Sequence, residues 1–580
     1  MMRNLRLLRI PAAAAALGAA AFAAVALVAT PAATGADDGL LRINLLWTND
    51  VHGHIAPEPA KFMNPDFPPP LGGGASAARY IREVTARAEA AGEEVLLVDV
   101  GDMFQGTPIG NKTKGAAVIE YMNAIGYDFA VPGNHDFDLG RENTEQMAKK
   151  SKFPWLAANL AEESTGKLVD WVQPTLMIEI GGIRIGVIGI ITPGTAHMSF
   201  PKNIEGLQFL EMAPTVERYR DQLKAQGADL IFLAIHEGLP YDPVQGWNNL
   251  VAAQEEADHE QEGAYGSNYS RGGMNLMELV NVVEGVDFAV GGHTHRGYRE
   301  PWIDYQTHTM CFESFGNGSS IGHAVLLIDR ATRTLVGYEG AHEDGTLITL
   351  FEDEIWPDPE ITEVIRPHHE AAEADMGKVI GATSASLGRG GPGASLVANL
   401  VTDAMRERFD GDLAVQNAGG LRADIQAGDL TTRDIFAVLP FGNELQIVTM
   451  DGRMIRRLIE SRVAGRSGGI LLSGARVAID PTRPDWDRVV ELEIGGQPWD
   501  PDAEYDVVIT DFLMEGNSGL DFLTTIPADK ITPTGVTQAE AVEQYIGRHS
   551  PVRPRIDDRW VEKPGQAQAP YLAKPWLQDS

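Results

Sequence analysis

Five short polar clusters in this 580-residue chain hold side chains suited to divalent metal ions, and each follows directly on an apolar run. They read INLLWTNDVHGH (43–54), VLLVDVGDMFQG (95–106), YDFAVPGNHDFDLG (127–140), LIFLAIHEG (230–238) and VDFAVGGHTH (286–295). The donors they offer are Asp50, His52, Asp102, Asn134, His236, His293 and His295. Carboxylate oxygen, amide oxygen and imidazole nitrogen suit hard and borderline cations, and a set without thiolate excludes the softer ones. Asp50 and His52 stand two apart, so an extended segment points both the same way. Two ions about 3.5–4 Å apart need a common ligand. A carboxylate can bridge, and Asp102, alone in its cluster, is the expected bridge. Such an ion pair makes water nucleophilic near neutral pH and neutralises phosphate oxygens, so the chemistry implied is hydrolysis. His54 is expected near the first ion without being a ligand. The histidines elsewhere (His197, His259, His308, His323, His342, His368, His369 and His549) are read as structural.

The elements that must position these donors are legible in the same segments. VLLVDV and LIFLAI are short and apolar without alternation, as strands buried on both faces require. Loops leaving the carboxyl ends of such strands converge on one rim, which lets donors remote in sequence meet. Gly101 permits a sharp exit before Asp102. Gly133 and Asn134 are expected to take positive φ and to end the strand before them. The stretches GASAARYIREVTARAEAAG (74–92) and APTVERYRDQLKAQG (213–227) read as helices between strands, so the first half is α/β. The acidic insertion AAQEEADHEQEGAYGSNYSRGG (252–273) reads as a surface loop or lid. GTPIGNKTKG (106–115) is no phosphate loop, because that motif needs glycine where Asn111 stands.

The length implies at least two domains. Arg3, Arg6 and Arg9 precede an uncharged Ala-rich stretch, Pro11 to Thr30, and small residues, which reads as a secretory signal over 1–36 and predicts a periplasmic or secreted protein. Cys311 is the sole cysteine, so no internal disulfide forms. The net charge of −34 disfavours nucleic-acid polymers and anionic membranes, leaving a small-molecule substrate. Segment 351–377 is charged and helix-prone and reads as a connector. A second compact unit spans 378–555, with helical GASLVANLVTDAMRERF (393–409) and strand candidates ELQIVTM, RVVELEIG and EYDVVIT, before an extended tail, 556–580.

The five clusters, with NAGGLR (417–422), LPFGN (439–443) and ITDFL (509–513), resemble the bacterial periplasmic UDP-sugar hydrolase/5'-nucleotidases and the related animal ecto-5'-nucleotidases over roughly 40–550. The resemblance implies a calcineurin-like metallophosphoesterase domain at 40–350, a four-layer β-sandwich flanked by helices, and a smaller α+β substrate-binding domain. It implies two divalent ions (Mn²⁺, Zn²⁺ or Co²⁺), one held by Asp50, His52, Asp102 and His295, the other by Asp102, Asn134, His236 and His293. His135 and Asp138 become the catalytic pair. A cationic His135 can stabilise the transition state or protonate the leaving group, and Asp138 can orient it. In the second unit the resemblance places Asn417 and Arg422 near phosphate or ribose, Asn443 in the same site, and Phe441 and Phe512 as rings that sandwich a nucleobase. Asp521, in EGNSGLDF (515–522), is displaced from the family's GGDGY pattern, and His295 stands where many bacterial relatives carry glutamine.

The activity so implied is phosphate release from nucleoside 5'-monophosphates and cleavage of nucleotide-sugar diphosphates, by metal-activated hydroxide with His135 and Asp138 assisting. The alternatives are a 2',3'-cyclic-nucleotide phosphodiesterase/3'-nucleotidase, a thiosulfohydrolase on the same scaffold, and a catalytically silent metal- or nucleotide-binding protein.

Overall fold

The computed structural model describes residues 39–569 and Leu572, apart from 61–62, 65–66, 260–273, 343–344, 375, 391–394 and 465–468. The secretory signal expected over 1–36 lies outside the described residues. Among the described residues no helix is long and apolar enough to cross a membrane.

Two six-stranded sheets pack face to face in the first half. In one, Leu40–Thr48 and Glu94–Asp99 run parallel, Phe129–Ala130 extends them, and Ser320–Asp329 and Thr334–Gly340 add antiparallel strands. In the other, Ile183–Ile191, Leu230–His236, Phe288–Gly291 and Met310–Glu313 are parallel neighbours. Alternation along the first strand sends Leu41, Ile43, Leu45 and Trp47 between the sheets, against Val187, Phe232, Phe288 and Phe312. Leu46 and Leu97 face outward beneath helices Gly73–Ala91 and Ala116–Ile125, which contribute Ala78, Ile81, Val118 and Ile119. Helices Met212–Ala225 and Leu276–Val282 cover the other outer face over Ile188, Ile231 and Leu233. The result is a helix–sheet–sheet–helix sandwich. Every residue of Leu230–His236 is buried because both faces of its sheet are covered, which is why LIFLAI lacks alternation.

Helix Pro359–Glu373 starts on Asp358, whose side chain accepts from the Glu360 and Ile361 amides, with proline in the first turn. It buries Ile361 and Ile365 in the outer core of the first half. In the second half a five-stranded sheet runs Ile470–Ser473, Leu413–Asn417, Glu504–Thr510, Glu444–Asp451, Ile531–Thr537. Helices Leu396–Phe409 and Gln538–His549 pack on one face. Ile455, Leu458 and Ile459, from helix Gly452–Ala464, pack on the other with a small second sheet. Within the tail, Trp560–Glu562 pairs with Ala475–Ile479 in that second sheet, and the buried Arg456 donates to the Leu572 carbonyl at 2.8 Å. The acidic insertion is less of a loop than its polarity suggests. Its first residues continue helix Pro243–His259, in keeping with the helix propensity of Ala, Gln and Glu, and 260–273 lie outside the described residues.

Candidate dinuclear metal centre

The loops leaving Thr48, Asp99, Ala130, His236 and Gly291 meet at one edge of the sandwich. The first two are laced together by backbone: the amides of Asp50 and His52 donate to the carbonyls of Gly101 and Asp102, both at 2.9 Å. The third joins through the His135 amide, which donates to Asp102 Oδ1 at 2.7 Å. The fifth joins through the His293 amide, which donates to Asp50 Oδ2 at 2.9 Å. Of twelve non-glycine residues with positive φ among those described, five are expected ligands: Asp50, His52, Asp102, His293 and His295. Each such conformation costs about 1 kcal/mol or more and persists only where the surroundings impose it, which marks this rim as a site built for function.

The donor atoms of Asp50, His52, Asp102 and His295 lie within 4.8 Å of one another, and so do those of Asp102, His236 and His293. Asp102 belongs to both groups. Its Oδ2 lies 3.2 Å from His236 Nε2 and 3.7 Å from His52 Nε2. Asn134 Oδ1 lies 3.2 Å from His236 Nε2, and His295 Nε2 lies 3.4 Å from Asp50 Oδ1 and 3.0 Å from His52 Nε2. The structure thus brings all seven expected ligands together. A divalent pair fits this arrangement on two counts. Asp102 Oδ2 is buried and faced by the Nε2 atoms of His236 and His52, a setting in which a bound cation would take the place of a donated proton. His52 Nδ1 sits 2.6 Å from the Gln105 carbonyl and His236 Nδ1 sits 2.7 Å from the Val100 carbonyl. A carbonyl only accepts, so both rings carry a proton on Nδ1 and turn Nε2 inward, the nitrogen through which such an imidazole binds a metal.

Charge in the rim is balanced internally. Burial works against a charged His236, but the Asp102 and Asp50 carboxylates raise its pKa to about 10. Burial also opposes ionisation of Asp102, and His236, His135 and His52 overcome it, holding the carboxyl well below its usual range. Desolvation and the neighbouring His236 push half-buried His293 down to about 4, and His52 is lowered by burial and by His295.

Beside this cluster His135 Nδ1 contacts Asp138 Oδ2 at 2.7 Å. Burial disfavours the imidazolium, yet the Asp138 and Asp102 carboxylates raise its pKa. The ring lies 5.3 Å from that of His52 and stacks on Phe441 of the second half, with centroids 5.4 Å apart and planes 22° from parallel. Arg422 lies over the other partner of that stack, 5.6 Å from the Phe441 centroid, and after burial its charge is the main influence that lowers the His295 pKa. Hydrogen bonds from Gln105 and Asn111 side chains to the Pro440 carbonyl, at 3.4 and 3.0 Å, hold the Phe441 loop against the rim.

Residues 43–297 match the calcineurin-like phosphoesterase family, and residues 371–525 match the 5'-nucleotidase C-terminal domain. The chain belongs to the calcineurin-like phosphoesterases that carry a 5'-nucleotidase C-terminal domain. It is similar to protein UshA of Yersinia enterocolitica, at 28% identity over 88% of this chain and 92% of that protein. It is similar to a 5'-nucleotidase of Vibrio parahaemolyticus, at 26% identity over 90% of this chain and 92% of the other. The crystal structure of a 5'-nucleotidase precursor from Thermus thermophilus superposes with a TM-score of 0.75 at 26% identity, covering 90% of this chain and 99% of that one. A Thermus thermophilus sulfate thiohydrolase, SoxB, shares the fold, with a TM-score of 0.70 at 19% identity over 91% of this chain and 97% of that one. The protein is thus a metal-dependent phosphoester hydrolase.

In this phosphoesterase the residues that hold the rim in place carry no signal in the spacing of the clusters. Asp136, between the expected catalytic pair, accepts the amides of Asp102, Met103 and Gly133 at 3.1, 3.0 and 2.8 Å, pinning two loops together. Asn49 donates to Asp50 Oδ2 at 2.7 Å and to the Ser314 carbonyl at 2.8 Å. Glu313, fully buried, accepts the Leu239 amide at 2.9 Å and the Thr294 hydroxyl, and so joins the loops that carry His236 and His293. Asp99, the first aspartate of VDVGD, accepts from Thr48 at 2.6 Å and from the Gly101 amide at 2.9 Å, and burial pushes its carboxyl up to about 8. Asn49, Glu313 and Asp99 stand at or directly after a strand end, and Asp136 lies in the turn Asn134–Phe137.

Two expectations change in detail. Gly133 has φ −101°, not positive, and Asn134 opens a turn of 3₁₀ helix. The glycine is needed for room, since a Cβ there would lie 2.2 Å from Asp102 Oδ1. Gly101 does take positive φ, +99°, and is crowded as well. In the second half, Phe441 and Phe512 pack against different parts of the metal domain, His135 and Phe200 respectively. Asn417 is buried with its side-chain nitrogen 3.5 Å from Ser518 Oγ, and Asn443 is buried with Oδ1 unpaired.

Proposed function

We propose that this phosphoesterase is exported and releases phosphate from nucleoside 5'-monophosphates, with nucleotide-sugar diphosphates as further substrates. The observation that carries the reading is the meeting of two donor groups at Asp102, directly beside the His135–Asp138 pair and beneath Phe441 and Arg422 of the second half. One ion would be held by Asp50, His52, Asp102 and His295, and the other by Asp102, Asn134, His236 and His293. Bound there, two divalent ions supply a lowered pKa for water and positive charge against the phosphate oxygens. The chain's own residues do the rest. His135, kept protonated by Asp138, gives its proton to the departing ribose oxygen or steadies the charge that grows on it. Arg422 adds a fixed cation on the side of the second domain. Phe441 and Phe512 offer π-faces to a base, and Asn417 and Asn443 offer amide groups to ribose or base. Export rests on the basic and apolar leader.

The test is phosphate release from AMP, UMP, ADP, UDP-glucose and 2',3'-cAMP by EDTA-stripped protein after addition of Mn²⁺, Zn²⁺ or Co²⁺. Metal-restored turnover of AMP and UMP is expected. Turnover of 2',3'-cAMP alone, or metal uptake without turnover of any ester, overturns the reading.

A further inference from the structure

The segment Ser199–Asn203 belongs to the metal domain and bridges its catalytic loop to the second domain. Ser199 Oγ donates to the Asn134 carbonyl at 3.2 Å, and Asn203 Nδ2 donates to the Asp138 carbonyl at 2.8 Å. These two bonds bracket the GNHDFD turn that carries His135. Between the two anchors stands Phe200, whose ring meets that of Phe512 edge to face, with centroids 5.5 Å apart and planes at 81°. Lys202 lies 5.0 Å from the Phe200 centroid, and its charge also acts on the Asp511 and Glu515 carboxylates that flank Phe512. Phe512 is itself fixed: Asn517 Nδ2 donates to its carbonyl at 2.9 Å, and the Glu444 amide donates to Asp511 Oδ1 at 3.1 Å on the strand that follows the Phe441 loop.

We infer that Phe200 is a specificity-determining residue, the metal domain's own contribution to the nucleobase site, and that the Ser199 and Asn203 anchors tie a base held at Phe512 to the placement of His135. This rests on the nucleotide reading above and adds to it a residue outside the second domain. Three features support it. An edge-to-face ring pair is a preferred aromatic geometry and fixes Phe200 at a set angle to Phe512. The anchors are side-chain bonds to the backbone carbonyls of Asn134, next to His135, and of Asp138, which closes the turn, so a shift of Phe200 is transmitted to that turn. The cationic neighbour Lys202, 5.0 Å from the ring centroid, adds a cation–π contact to Phe200. A phosphoester without a base gains nothing from this contact, whereas a nucleoside monophosphate does.

The readout is the ratio of kcat/KM for AMP to that for ribose 5-phosphate, which keeps the sugar and the ester but has no ring to stack, measured on the full-length metal-loaded enzyme. Phe200→Ala is expected to lower this ratio about tenfold, the scale of one lost aromatic contact. Phe200→Trp, which keeps a ring, is expected to restore most of it. A ratio unchanged or raised in Phe200→Ala overturns the inference, and so does failure of Phe200→Trp to recover more of the ratio than Phe200→Ala. Phe512→Ala separates the two readings. If it keeps the wild-type ratio, the base site proposed at Phe512 is wrong. If it loses the ratio while Phe200→Ala keeps it, only the role of Phe200 falls.

Discussion

Replacing His135 with alanine tests the division of labour at the rim, because the structure separates what its side chain does from what its backbone does. The His135 amide donates to Asp102 Oδ1 at 2.7 Å, and the turn is pinned independently by Asp136 through the Gly133, Asp102 and Met103 amides. None of these bonds needs the imidazole, so the ligand geometry should survive the truncation. What is lost is a half-buried ring 2.7 Å from Asp138, whose carboxylate favours its cationic form. A positioned proton donor of this kind contributes about 10²–10⁴ in rate, or about 3–5 kcal/mol at 1.36 kcal/mol per tenfold. The expectation is a fall of about a thousandfold in kcat for AMP, with both ions retained by metal analysis of the dialysed protein. If His135 protonates the leaving oxygen, the loss should be smaller for p-nitrophenyl phosphate, whose leaving group needs no proton. Loss of metal in step with activity would move His135 into the ligand set. A fall of less than tenfold with AMP would refute its role in the chemical step.

Asp102→Asn should cost about 4 kcal/mol in kcat/KM, about a thousandfold, and leave fewer than two ions per chain, because both donor groups share this carboxylate. Full activity with two bound ions would refute the bridge. Gly133→Ala keeps an allowed φ, so any effect comes from its Cβ reaching Asp102 Oδ1, and at least a tenfold loss of metal affinity is expected by titration. Gly92→Ala, with nothing within 4 Å of its Cβ, should cost about 1 kcal/mol of stability through φ +71° alone and leave metal binding unchanged. His323 is buried between Tyr80 and Asn44, and burial lowers its pKa to about 4. Because the folded value lies below the unfolded one, the unfolded chain takes up the proton first. The contribution of His323 is whole above pH 6.5 and falls by about 3 kcal/mol as pH drops toward 4. Hydrogen-exchange protection of strand Leu40–Thr48 at pH 7 and pH 4.5, compared between wild type and His323→Leu, measures it; an equal pH effect in both would refute it.

Composition and strand ends were enough to name the side chains that gather on the rim, the strands that carry them, and Asp102 as the carboxylate common to the two donor groups. The physical reason is that donors to a metal must be of a few chemical types and that parallel buried strands release their loops on one edge, so composition and strand ends suffice. Asp50, His52, Asp102, Asn134, His236, His293 and His295 all lay within motifs that follow apolar runs. What supports them emerges only once the chain has folded. Asp136, Asn49 and Glu313 act by accepting or giving hydrogen bonds to backbone that is remote in sequence, Asp99 accepts from the Thr48 hydroxyl on a neighbouring strand, and no local pattern encodes a partner across a loop. The same holds for Gly133, whose need for glycine comes from an oxygen thirty-one residues away rather than from its own φ. It holds again between the domains, where Phe441 meets His135 and Phe512 meets Phe200. An apolar ring in a strand-like run looks like core from its neighbours in sequence, and only the docking of one domain on the other shows which surface it serves.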